Sequence, residues 1–211
     1  MKGLLYKDFR LLQKNFVTIP LIVTVFLVLS LVNQGGAFWS VYAVFIGCTL
    51  VSTLHNTDET TRWCTYCDTT PLKRSDLVKE KYVFSLLLIS AIILFFVVLR
   101  LIAGIFGLGQ GTDELPVTCL SMAMLGMIIS SLSLTFSFLF GPQKSQIYRM
   151  ALILFMVIGC MSIINYAPGA IEWLSRLPAV ILIVLSLLAP LAIMCLCYKT
   201  SCIGFEKRNL L

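Results

Sequence analysis

Long apolar runs alternate with short polar breaks along nearly the whole chain. Six such runs fall at about residues 16–32, 37–54, 82–106, 115–140, 147–166 and 177–198, and a helix needs roughly 20 apolar residues to cross a bilayer core. A run such as "LLLISAIILFFVVL" is apolar on every side. A membrane β-strand would alternate apolar and polar positions over a shorter segment. The pattern predicts an all-α, polytopic membrane protein with six transmembrane helices, forming a single transmembrane domain over residues 1–211. No stretch is left for a soluble domain of ordinary size, about 100 residues or more.

The breaks have structure of their own. In "MKGLLYKDFRLLQKNF", Leu5, Phe9, Leu12 and Phe16 fall on one stripe at about 100° per residue, with Lys7, Arg10 and Lys14 centred about 160° away. Residues 1–15 therefore read as an amphipathic helix lying in the membrane interface, its basic face toward lipid phosphates or water; the alternative is a solvated start to the first span. Between the second and third spans, residues 55–81 read as two short helices separated by a break. Asn56 or Thr57 is placed to cap a first turn holding Asp58 and Glu59. Thr70 followed by Pro71 repeats the signal and starts a helix that runs into the third span. Trp63 and Tyr66 share a face and are expected to anchor at the lipid headgroups, with the charges pointing into the cytoplasm. An ordinary aromatic belt with a basic loop would look the same. Gly141 and Pro142 end one helix, and the next begins near Lys144 or Ser145. Asn165, Pro168, Gly169 and Trp173 mark a short re-entrant or interfacial helix around "AIEWLSRL".

Composition agrees, with 59% hydrophobic residues and a mean hydropathy of +0.95. Charge sets the orientation. All of the 16 basic residues except Arg100 and Arg176 fall on one side of an even-numbered topology, and short loops rich in Lys and Arg stay cytoplasmic. Both termini are thus predicted cytoplasmic. The net charge of +6 is divided among four membrane flanks, which does not favour nucleic acid as a partner. The first run is preceded by about 15 residues and followed by no A-x-A site, so it reads as a span and not a signal peptide.

Chemistry is sparse. Cys64 and Cys67 have metal-like spacing, but zinc takes four ligands and His55 is the lone histidine. The cysteines within spans read as small packing residues, and a disulfide is not expected in a cytoplasmic loop. No P-loop, G-x-S-x-G elbow or H-E-x-x-H pair occurs, so no catalytic residue, metal site or cofactor is assigned to this chain. Arg100 is the charged residue well inside a span; it marks a polar intramembrane site or snorkels to the surface.

The segments "MKGLLYKDF" and "LLQKN", the pattern Asp58–Glu59, Trp63, Tyr66, "TTPLKRSDLVKEKY", the turn "FGPQKSQIYR" and the tail "SCIGFEKR" resemble bacterial ABC type-2 exporter permeases, in particular the small six-span type of Gram-positive bacteria. Thr70 stands where that family usually has Leu before the loop proline. The resemblance implies a permease subunit in the bacterial cell membrane, pairing as a homodimer or heterodimer and working with a separate ABC ATP-binding subunit that holds ATP and Mg. It implies that residues 55–81 carry a coupling helix, with Asp58, Glu59, Arg62, Trp63, Tyr66, Pro71 and Arg74 in the coupling region. Export of a peptide, antibiotic or other amphipathic substrate is the function it suggests. The alternative is a non-transporting membrane anchor or regulatory protein that binds a cytosolic partner through the same loop. A channel is less well matched, because few polar positions line the spans.

Overall fold

The computed structural model describes residues 2–15, 18–32, 36–61, 63, 74–106, 115–166 and 179–207, and among them every regular element is a helix. These are α1 (Lys2–Asn15), α2 (Thr18–Val32), α3 (Gly36–Thr60), α4 (Arg74–Ile105), α5 (Leu115–Tyr166) and α6 (Ala179–Lys207). Among the described residues, four stretches are long and apolar enough to cross a membrane: Phe38–Thr60, Arg74–Ile105, Leu115–Gly141 and Leu188–Phe205. A fifth is possible only if Tyr6–Gln13 and Thr18–Leu31, bent by 77°, count as one span. For the first of the expected runs the reason lies in length: α2 alone has 15 residues, about 22 Å of helix, against a hydrocarbon core of about 30 Å.

Two expected boundaries move. Residues 55–60 do not start a new helix; they extend α3. Thr57 therefore caps nothing, and its hydroxyl donates to the Thr53 carbonyl at 2.9 Å, as Thr53 does to Thr49 at 2.8 Å. Back-bonding of this kind lets a polar run stay helical, because each hydroxyl is satisfied within its own helix. The second change is at Gly141, where the expected turn shrinks to one non-helical residue inside α5, with φ 78° and ψ 177°. Only glycine adopts that φ without strain, and its extended ψ suits the proline that follows. A continuous helix would hold Phe136 and Tyr148 about 18 Å apart. Their rings lie 6.0 Å apart instead, and Phe140 meets Tyr148 at 4.3 Å. The chain thus doubles back at Gly141, and α5 is two helices laid against each other. α4 runs unbroken from Arg74, with Asp76 in its first turn complementing the helix dipole. Residues 70–73 and the 167–178 stretch, where a helix start and a re-entrant helix are expected, lie outside the described residues.

Buried side chains form two clusters. One gathers Leu54 (α3), Val78 (α4), Phe138 (α5) and Phe205 (α6), and the other gathers Leu27 (α2), Val44 (α3), Phe96 (α4) and Met122 (α5). Many large apolar residues stay exposed, among them Leu94, Ile105 and Leu196, as expected where lipid replaces water and apolar burial alone does not drive helix association. Close approach does part of that work. A side chain at Gly126 of α5 would meet Val44 Cγ1 at 2.8 Å, and Cys48 of α3 donates to the Gly126 carbonyl at 3.4 Å.

A hydroxyl cluster joins the next seam. Tyr82 of α4 lies 3.1 Å from Thr135 Oγ1 of α5 and 2.9 Å from Ser201 Oγ of α6. Replacing Tyr82 with Phe is expected to lower stability by about 0.5–1.5 kcal/mol, because Ser201 still reaches Thr135 at 3.4 Å. Thermal unfolding in detergent checks this, and a loss several times larger would show that the cluster acts as one unit.

Candidate functional site: a buried ion cluster at the ends of three helices

The charged end of the bundle is held by ions from three helices, and the local sequence shows why three of them are there. Asp8 sits among Leu4, Leu5, Leu11 and Leu12 on the apolar arc of α1, so docking that arc drives a carboxylate into the interior. Lys81 sits likewise among Leu77, Val78 and Phe84 of α4. Asp58 lies in the last turn of α3, where a carboxylate opposes the helix dipole and needs a cation from elsewhere.

The three meet. The Lys81 ammonium donates to Asp8 Oδ2 and lies 2.7 Å from Asp58 Oδ2. Lys7 donates to Asp58 Oδ1 at 2.6 Å and approaches Asp8 Oδ1 at 3.3 Å. Glu80 stands 3.8 Å from Lys81 and is 2% exposed, so two cations face the carboxylates of Asp8 and Asp58 and the carboxyl group of Glu80. Burial by itself would raise the Asp8 carboxyl, but the Lys81 ammonium above all, with a hydrogen bond from Glu80 and the charge of Lys7, holds it below the usual carboxylate range. Charges buried this deeply are stable only when paired, and removing one partner costs far more than removing both.

An aromatic layer seals the cluster. His55, 2% exposed, packs 4.1 Å from the Phe138 ring and 6.4 Å from that of Phe205, with Nε2 3.5 Å from Glu59 Oε1. The Trp63 ring lies 4.7 Å from the Lys7 ammonium. Arg74, opening α4, donates to the Phe205 carbonyl at 3.5 Å and lies over its ring at 6.0 Å. A cavity of about 10 Å³ between His55, Trp63, Glu80 and Phe205 is at most the size of one water.

The arrangement ties α1, the end of α3 and the start of α4 together, and the last two flank the 62–73 segment. A family model described as ABC-2 family transporter protein matches residues 3–206. The chain belongs to the ABC-2 transporter family. Comparison with curated proteins and with solved structures finds no match. Membership makes the chain a membrane permease subunit of an ABC transporter, one that works with an ATP-binding subunit.

In this ABC-2 permease the residues expected in the coupling region do not share one environment. Asp58 is 4% exposed and points into the ion cluster instead of into the cytoplasm. Trp63 packs on Lys7 and the apolar cluster; the lysine offers its ring a charge. Glu59 faces His55, and Arg74 faces Phe205. Arg62, Tyr66, Pro71, Cys64 and Cys67 lie outside the described residues. Arg100 stands near the opposite end of α4, with its guanidinium 5.8 Å from the Phe96 ring, and does not join the cluster.

On α1 the expected faces are also redrawn. Lys7 turns to Asp58 instead of to lipid, Leu12 packs on the core, and Phe9 is 62% exposed. Sequence reasoning missed Lys7, Asp8, His55, Glu80, Lys81 and Phe205 as site residues. A signal existed for two of them, since Asp8 and Lys81 each sit in the middle of an apolar helix face.

Proposed function

We propose that this chain is the permease half of an ATP-driven exporter, crossing the membrane six times with α1 in the interface and both termini cytoplasmic. In this reading residues 55–81 receive the stroke of the ATP-binding subunit, which holds ATP and Mg, and two permease chains enclose the path. The substrate is a peptide, antibiotic or other amphipathic molecule. The observation that carries the reading is the buried Asp8–Lys81–Asp58–Lys7 cluster. A push on the 62–73 segment would move the end of α3, the start of α4 and α1 together instead of bending a loose loop.

In this reading Asp58, Glu59 and Trp63 fasten the segment from inside, and Arg62, Tyr66, Pro71 and Arg74 make the contact with the partner. Arg62→Glu combined with Tyr66→Ala is therefore expected to lower copurification of the ATP-binding subunit at least tenfold, with the yield and unfolding temperature of the permease unchanged. Undiminished copurification, with ATP hydrolysis by the complex also intact, would show that the coupling surface lies elsewhere.

A further inference from the structure

A groove runs from α1 along α4. Its first part, about 530 Å³, lies between Tyr6, Phe9 and Leu12 of α1 and Phe84, Leu87 and Leu88 of α4. Its second part, about 220 Å³, continues past Ala91 between Val23 of α2, Gly47 of α3 and Phe95 of α4. Leu12, Leu88 and Ala91 border both parts, which makes them one path. The wall is apolar throughout its depth; the Thr24 hydroxyl on it is turned away, donating to the Pro20 carbonyl at 2.8 Å.

Length and charge point to one occupant. From Phe84 to Phe95 the groove follows α4 for about 16 Å, which is the depth of one leaflet, half of a core about 30 Å thick. At the α1 end stands exposed Arg10, its guanidinium held 5.7 Å from the ring of Tyr6, a groove residue. A guanidinium matches the paired oxygens of a phosphate. An isologous second copy would instead bring another cationic rim onto this one. We propose that the groove holds one acyl chain of an anionic phospholipid from the leaflet on which α1 lies, with the lipid phosphate on Arg10. The site is independent of the coupling of residues 55–81 to an ATPase.

The test uses the full chain, purified in mild detergent and given equimolar dioleoylphosphatidylglycerol and dioleoylphosphatidylcholine, with retained lipid read by native mass spectrometry. One phosphatidylglycerol is expected to stay bound in preference to phosphatidylcholine. Arg10→Gln, at an exposed position, should cut that preference about fivefold, the worth of one cation near a phosphate. Ala91→Trp fills the junction of the two parts and should remove the lipid, whereas Ala189→Trp, exposed on α6 outside the groove, should not. Equal retention of both lipids in all four proteins would reduce the groove to general bilayer contact and overturn the proposal. So would an Ala91→Trp protein that keeps its lipid but shifts between dimer and monomer, which would assign the groove to a second copy.

Discussion

Lys81→Met is expected to release α1 from the bundle and to lower stability by about 3–5 kcal/mol, the cost of breaking a buried ion pair by removing one partner. Methionine keeps the length of the side chain, so the loss is one of charge and not of packing. Without the ammonium, Asp8 keeps the hydrogen bond from Glu80 and the 3.3 Å approach of Lys7, and Asp58 keeps its 2.6 Å bond from the same lysine. One cation then faces the carboxylates of Asp8 and Asp58, with the Glu80 carboxyl beside them. The Asp8→Asn, Lys81→Met double variant should be less destabilised than the sum of the two single changes, because neither leaves the other stranded. Amide hydrogen exchange over α1 is the direct readout. Exchange in Lys81→Met as slow as in the unchanged protein would mean that Leu11 and Leu12 alone hold α1, and that the ions do not tie the three helices together.

Phe205→Ala is expected to cost about 3–5 kcal/mol, as for other fully buried aromatic truncations. The ring is 0% exposed and lies 5.3 Å from that of Phe138, edge to face, with His55 on another side. It also carries the Arg74 guanidinium. Truncation therefore opens a cavity shared by α3, α4, α5 and α6 and takes the ring from beneath the first residue of α4. Thermal unfolding of the purified chain measures the loss. A change below about 1 kcal/mol would indicate that the end of α6 collapses onto the gap, so that Phe205 fills space without fixing the neighbouring helices.

The clearest readings in the sequence came from long, one-sided patterns. The apolar runs 37–54, 82–106 and 115–140 reappear in α3, α4 and α5 because uninterrupted apolar helix former leaves the backbone no other way to satisfy its polar groups in lipid. Gly141 with Pro142 was legible as a stop, although a single residue suffices to turn the chain. The polar stretch after Leu54 misled for an identifiable reason. Asn, Thr and Asp favour caps when they are exposed, yet here the threonine hydroxyls bond back along α3 and Asp58 finds lysines from α1 and α4. Propensity describes a residue alone with water, and these residues are not alone.

By itself the sequence determined the class of molecule: helices in a membrane, basic flanks, and motifs that resemble ABC type-2 permeases, later matched by the family model over residues 3–206. These depend on the composition and order of single segments, which no fold rearranges. Only the tertiary structure decided which charges meet. Asp8, Asp58 and Lys81 lie far apart along the chain, and although Asp8 and Lys81 each sit on an apolar helix face, nothing in the order of residues says which charge each would meet. Their pairing follows from which apolar faces pack together, because docking those faces removes the three charges from solvent and leaves them to pair with one another and with Lys7.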